Sequence, residues 1–134
     1  MTKREELEAL ACRCETEEPS WDLSVAIELA VTPGATGAPS SLGCAVWIED
    51  GRKLYNPPPY TTSRDAAATL VPPDCWQEVN GPRKFLHIPT PAPNRWKAEV
   101  TAYDSGQPCM GWAETEAMAR CAAALRARAA LVTP

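Results

Sequence analysis

Proline decides what this chain can build. Fourteen prolines in 134 residues are about twice the usual share. Each fixes its own φ, removes a donor and biases the preceding residue toward extended backbone. Long uninterrupted elements are therefore confined to the proline-free stretches, and the rest must be short elements joined by rigid turns. At this length the chain is expected to be one domain, 1–134, able to bury a core without metal or disulfide help.

The proline-free stretches carry helical periodicity. Thr2 and Glu5 form a capping box, followed by Leu7, Leu10, Ala11 and Cys14 at i, i+3, i+4, i+7. After Pro19 and Ser20, the residues Leu23, Ala26, Ile27 and Ala30 repeat that spacing. Two short amphipathic helices with acidic outer faces are predicted. Near the other end, Thr115 precedes a helix with Met118, Cys121, Ala122, Leu125 and Ala129 as its core stripe. Glu116 lies at its positive end, and Arg126 and Arg128 lie near its negative end. Arg120, Arg126 and Arg128 could touch nucleic acid, but the expected role is a solvated face that complements the helix dipole.

Between these helices the pattern turns to strands. Residues 32–43 are small, polar or proline except Leu42, and read as a flexible loop. Cys44–Ile48 and Arg52–Tyr55 flank Asp50-Gly51, a two-residue hairpin signal. Residues 56–59 are a polyproline spacer, and the short helix after it, capped by Thr62 or Ser63, stops at Pro72-Pro73. Cys75–Val79 and Lys84–Ile88 flank a second hairpin dipeptide, Asn80-Gly81. Pro89–Pro93 is a rigid crossing. Trp96, Ala98, Val100 and Ala102 alternate with polar residues, giving a strand with one buried face, and Asp104–Gly106 turns it toward Cys109–Ala113. The expected fold is α+β, an antiparallel sheet of about five to six strands with helices packed on its faces.

Charge and motif content exclude several functions. The net charge is −4, unevenly spread. Residues 1–31 carry three basic and eight acidic side chains, whereas 52–103 carry seven basic and four acidic ones. An acidic chain lacks the dense basic face that general duplex binding needs, but the basic middle segment suits a small anion. No signal peptide and no stretch of transmembrane length is read, so a cytoplasmic location without membrane association is expected. The six cysteines would then be reduced. With one histidine and no Cys-x-x-Cys pair, no metal site is expected, nor any cofactor. His87 has no nucleophile or carboxylate partner at motif spacing, and nothing activates Cys44 or Cys121. No phosphate-loop, dinucleotide, zincin or nucleophile-elbow motif is present. No catalytic residue is expected.

The best binding candidate is 52–64. Arg52, Lys53 and Arg64 would neutralise charge, and Tyr55 and Tyr60 would stack on a base. Thr62 and Ser63, with free N–H groups at a helix start, would hold phosphate. The competing reading makes Thr and Ser simple caps and the tyrosines core residues. A second group, Arg83, Lys84, Arg95, Trp96 and Lys97, would line a pocket rim or else form a charged edge hairpin.

The order of Tyr60–Pro72 (an extended entry into a short capped helix ending Leu-Val-Pro), an indole-bearing strand and the Ala/Arg-rich helix 118–130 resembles the phage ABA-sandwich domain family. The resemblance is clearest at 55–72 and 115–130 and in the acidic helices before residue 31. Residues 32–43 depart from it. It implies a sheet with helices on its faces, a phage or prophage origin and no defined catalytic residues. For a small phage protein without an enzyme motif, it further suggests an anti-defence role. Such a protein, expected to be a homo-oligomer, would sequester a cyclic oligonucleotide or cyclic ADP-ribose type signal without cleaving it. Direct inhibition of a host protein, nucleotide cleavage and a packaging accessory role are the alternatives.

Overall fold

A computed structural model of the chain describes residues 2–33, 35–37, 46–47, 54–81 and 95–132, with only the backbone for 36–37, 46–47 and 54–55. The order is α1 (Lys3–Thr16), α2 (Trp21–Val31), β1 (Thr36–Gly37), β2 (Val46–Trp47), β3 (Leu54–Tyr55), α3 (Arg64–Ala68), β4 (Cys75–Asn80), β5 (Trp96–Ala102), β6 (Pro108–Ala113) and α4 (Glu116–Leu131). The fold is α+β. Its described strands form two antiparallel sheets of three strands each, β1-β2-β3 and β4-β5-β6. The expected strand Lys84–Ile88, the crossing 89–93 and most of the expected loop 32–43 lie outside the described residues. Within that loop, Thr36 and Gly37 pair with Trp47 and Val46 as a short strand.

Local signals set most helix starts. Thr2 Oγ1 accepts from the Glu5 N–H, Ser20 from Leu23, Ser63 from Ala66 and Thr115 from Met118. Each satisfies a donor that the first turn leaves unpaired. The α1 stripe Leu7, Leu10, Ala11 and Cys14 is buried throughout. On α2, Ser24, Val25 and Glu28 are buried beside the expected Leu23, Ile27 and Ala30. Its outer face is therefore not simply acidic.

β2 and β3 pair antiparallel, Val46 with Tyr55 and Trp47 with Leu54; the expected hairpin dipeptide Asp50-Gly51 lies outside the described residues. Asn80 does not turn. It closes β4, opposite Lys97 of β5. Ladder pairing satisfies its backbone and overrides the local Asn-Gly preference.

The core is built around α4. This helix packs against α1 and α3 as well as β5 and β6. The expected single stripe is thus widened: Ala117, Ala119, Ala123, Ala124 and Ala127 are buried in addition. Alanine allows neighbours to approach on every side. The sheet presents Ala98 and Val100 of β5 and Gly111 and Ala113 of β6 to this core. One hydrophobic cluster joins all four helices to β5 and β6.

Candidate functional site

The segment before α3 is anchored by polar bonds. Thr61 Oγ1 donates to the Ser20 carbonyl at 3.0 Å and accepts from the Ser20 N–H at 3.1 Å. Its own N–H donates to Ser24 Oγ at 3.3 Å, and the two hydroxyls lie 3.1 Å apart. This buried network fixes residue 61 to the start of α2, where unsatisfied polar groups would be costly.

Tyr60 follows the same logic and corrects the stacking role expected for it. It is only 5% exposed. Its hydroxyl donates to Glu28 Oε1 at 2.7 Å, and Thr32 Oγ1 donates to the same oxygen at 2.9 Å. The ring is a core element and offers no free face to a base. Tyr60→Phe is expected to lower stability by about 1–2 kcal/mol, since it removes a buried bond to a carboxylate. Urea unfolding of the two proteins checks this; equal midpoints would show that the bond contributes nothing net.

Ser63 caps α3 through its bond to Ala66 at 3.1 Å, so its hydroxyl is already engaged. Thr62 and Arg64 remain exposed. Of Tyr55 only the backbone is described, in β3, and Arg52, Lys53, Arg83, Lys84, His87 and Cys44 lie outside the described residues. Trp96 is half-buried in β5 and packs against the core. Arg95 donates through Nη2 to the Glu15 carbonyl at the end of α1. Lys97 pairs with Glu99 at 2.6 Å and lies 5.4 Å over the Trp112 ring.

Thr62 and Arg64 meet at a surface depression of about 400 Å³, shared with Pro19, Thr61, Thr115, Glu116 and Ala117. Three helices begin at its edge: α2 just after Pro19, α3 at Arg64 and α4 at Glu116. Helix starts carry free N–H groups and partial positive charge. α3 has five residues and adds little, whereas α2 and α4 have 11 and 16. Glu116 opposes this field, but is itself held by Arg120 at 2.8 Å.

Pro19 and Thr115 also line a second depression of about 260 Å³, together with Arg95, Glu15, Glu17, Glu18 and Glu114. Three of the expected site residues, Thr62, Arg64 and Arg95, therefore share one face. On the Arg95 side Glu15 and Glu17 are paired with Arg126 and Arg13, but Glu18 and Glu114 have no cation partner among the described residues and oppose an anion, which favours the Arg64 side.

The arginines of α4 are not a solvated face. Arg126 forks onto Glu15 with Nη1–Oε2 at 2.7 Å and Nη2–Oε1 at 2.6 Å, and donates to the Met110 carbonyl at 2.8 Å. Arg120 bonds Glu116 and the Gln77 side chain, and Arg128 bonds the Leu70 carbonyl. No sequence signal marks the Arg126–Glu15 pair, whose members are 111 positions apart. Cys121 is buried, and its thiol donates to the Tyr60 carbonyl at 3.2 Å. Its hydrogen bond with Cys14 and its burial push its pKa far above the ordinary thiol range, the opposite of an activated nucleophile.

Among the described residues, no helix is long and apolar enough to cross a membrane, and no three His, Cys, Asp or Glu side chains cluster as metal ligands. No protein-family model, no curated protein and no solved structure matches the chain.

Proposed function

We propose that this chain binds a small nucleotide-derived anion, of the cyclic oligonucleotide or cyclic ADP-ribose type, and holds it intact. The observation that carries this reading is the meeting of the α2 and α4 starts beside the exposed Thr62 and Arg64. Free helix N–H groups and a guanidinium are the donors that grip phosphate. With Tyr60 buried, base stacking would fall to Tyr55 or to a second copy of the chain covering the ligand, so a homo-oligomer belongs to the proposal. Sequestration also fits the chemistry of the depression, where Glu116 is tied to Arg120 and Thr62 has no base to activate it among the residues that line it.

The setting comes from the resemblance to phage ABA-sandwich proteins. In that setting, sequestering a nucleotide signal would blunt host anti-phage defence in the cytoplasm. The expected number of five to six strands in one antiparallel sheet, with 84–88 among them, belongs to the same proposal.

The test is a thermal-shift panel of cyclic dinucleotides, cyclic trinucleotides and cyclic ADP-ribose isomers, followed by calorimetry on any hit. A ligand that binds only the native state raises the melting temperature by mass action. The expected result is a hit recovered intact after incubation, with affinity at least about tenfold weaker in Arg64→Ala. No shift across the panel overturns the ligand class, a cleaved ligand overturns sequestration, and unchanged affinity in Arg64→Ala overturns the site.

A further inference from the structure

At the far end of α4 the chemistry is different. Arg128 and Leu131 follow Glu116 of the Arg64 depression along α4, about 18–22 Å away by the helix rise, so this end is independent of the nucleotide reading. Here Leu7 of α1, Val31 of α2, Leu131 of α4 and Pro72 line a groove of about 300 Å³. Leu131 is 62% exposed, one of the few large apolar side chains left in water among the described residues. The groove also has two cations, Lys3 and Arg128.

The cations are not equivalent. Lys3 is compensated by Glu6 at 3.3 Å and donates to the Ala30 carbonyl at 2.9 Å. Arg128 is half-buried and has no carboxylate partner among the described residues. Its Nε donates to the Leu70 carbonyl at 2.7 Å, one of the five N–H donors of a guanidinium. The other four have no protein acceptor among the described residues. Burial pulls its pKa down, opposed by the nearby Tyr60, so no carboxylate field stabilises the charge. Half-buried arginines are normally paired.

An apolar groove beside a guanidinium that has no carboxylate partner among the described residues suits a ligand with an aliphatic body and a carboxylate head. The space corresponds to about ten water-sized groups, and none of the described residues that line it is aromatic. We propose that this groove binds a medium-chain acyl carboxylate, with its carboxylate on the Arg128 Nη atoms and its chain along Leu7, Val31 and Leu131.

Octanoate, with ten non-hydrogen atoms, is the probe, and octan-1-ol is the same chain without the charge. Titration into the full chain, followed by amide chemical shifts, should give saturable binding with Kd on the order of 0.1–1 mM. The shifts should centre on Leu7, Val31, Leu131 and Val132. Octan-1-ol and Arg128→Gln should each weaken binding by about tenfold. Leu131→Ser, at an exposed position that the fold does not need, should weaken it several-fold, and decides the matter if Arg128→Gln does not fold. Absence of saturation, shifts centred elsewhere, equal binding of octan-1-ol, or an unaffected folded Arg128→Gln would each overturn the proposal.

Discussion

Gly111→Ala is expected to destabilise the chain by about 3 kcal/mol or more and to lower its melting temperature by about 10 °C. Gly111 sits in β6 directly under α4. A Cβ added there would lie 2.6 Å from the Ala119 carbonyl oxygen, 2.6 Å from the Ala123 nitrogen and 2.7 Å from the Ala122 Cβ. Two of these are helix backbone atoms and cannot swing aside. Relief requires α4 to lift from the sheet, and α4 is the element on which α1, α3, β5 and β6 all pack. Close-packed interiors transmit such a shift instead of absorbing it.

The glycine is needed for proximity and not for its backbone angle, since Gly106 is the one described glycine with positive φ, at 67°. Gly106 has open space around its Cβ position, so Gly106→Ala should cost only about 1 kcal/mol, from backbone strain. Thermal and urea unfolding of both variants separates the two causes. Equal, small losses would mean that α4 does not press closely on β6.

The same helix shows where sequence reading stops. Caps and stripes are local, so Thr2, Thr115 and the α1 stripe were legible, as was the alternation of β5 up to Val100; Thr101, on the side expected to be polar, is buried too. The full burial of α4 was not. Alanine is nearly neutral in hydropathy, and an Ala-rich helix looks alike whether one face or all faces are covered. Glu28 falls on what looks like a polar face, and the Tyr60 hydroxyl that donates to it is 32 positions away.

The candidate site fared similarly. Tyr60, Thr62, Ser63 and Arg64 are adjacent in sequence, yet they split into a core ring, an exposed hydroxyl, a cap and an exposed cation. Only tertiary packing separates those roles. The depression at Arg64 exists because α2 and α4 also begin there, which no spacing within 52–64 records.

Glu15→Gln should lower stability by about 2 kcal/mol at pH 7, and progressively less in acid. Glu15 is where three elements meet: from α1 it binds Arg126 of α4 in two-pronged fashion and accepts from the Trp112 N–H of β6 at 2.9 Å. Breaking one partner of a fully buried pair costs roughly 3–5 kcal/mol. These side chains keep 19% and 24% exposure, so solvent screening reduces the figure.

Burial alone would push the Glu15 carboxyl up, but the Arg126 hydrogen bonds, the Trp112 N–H and the nearby charges of Arg126 and Arg95 outweigh it and hold the group below the ordinary range. A folded-state pKa below the unfolded value of about 4.3 means that the native chain keeps its carboxylate charged while the unfolded chain takes up the proton. The stabilisation is therefore complete above that value and is lost as pH falls through the lower, folded one. Urea midpoints of the parent and Glu15→Gln should differ fully at pH 7 and converge below about pH 4. The exposed Arg13–Glu17 pair, at 2.7 Å with 43% exposure on each side, is the control; Glu17→Gln should change stability by less than about 1 kcal/mol. A Glu15→Gln deficit that stays constant from pH 7 to pH 3 would mean that shape at the α1–α4–β6 junction, and not the carboxylate charge, is what Arg126 recognises.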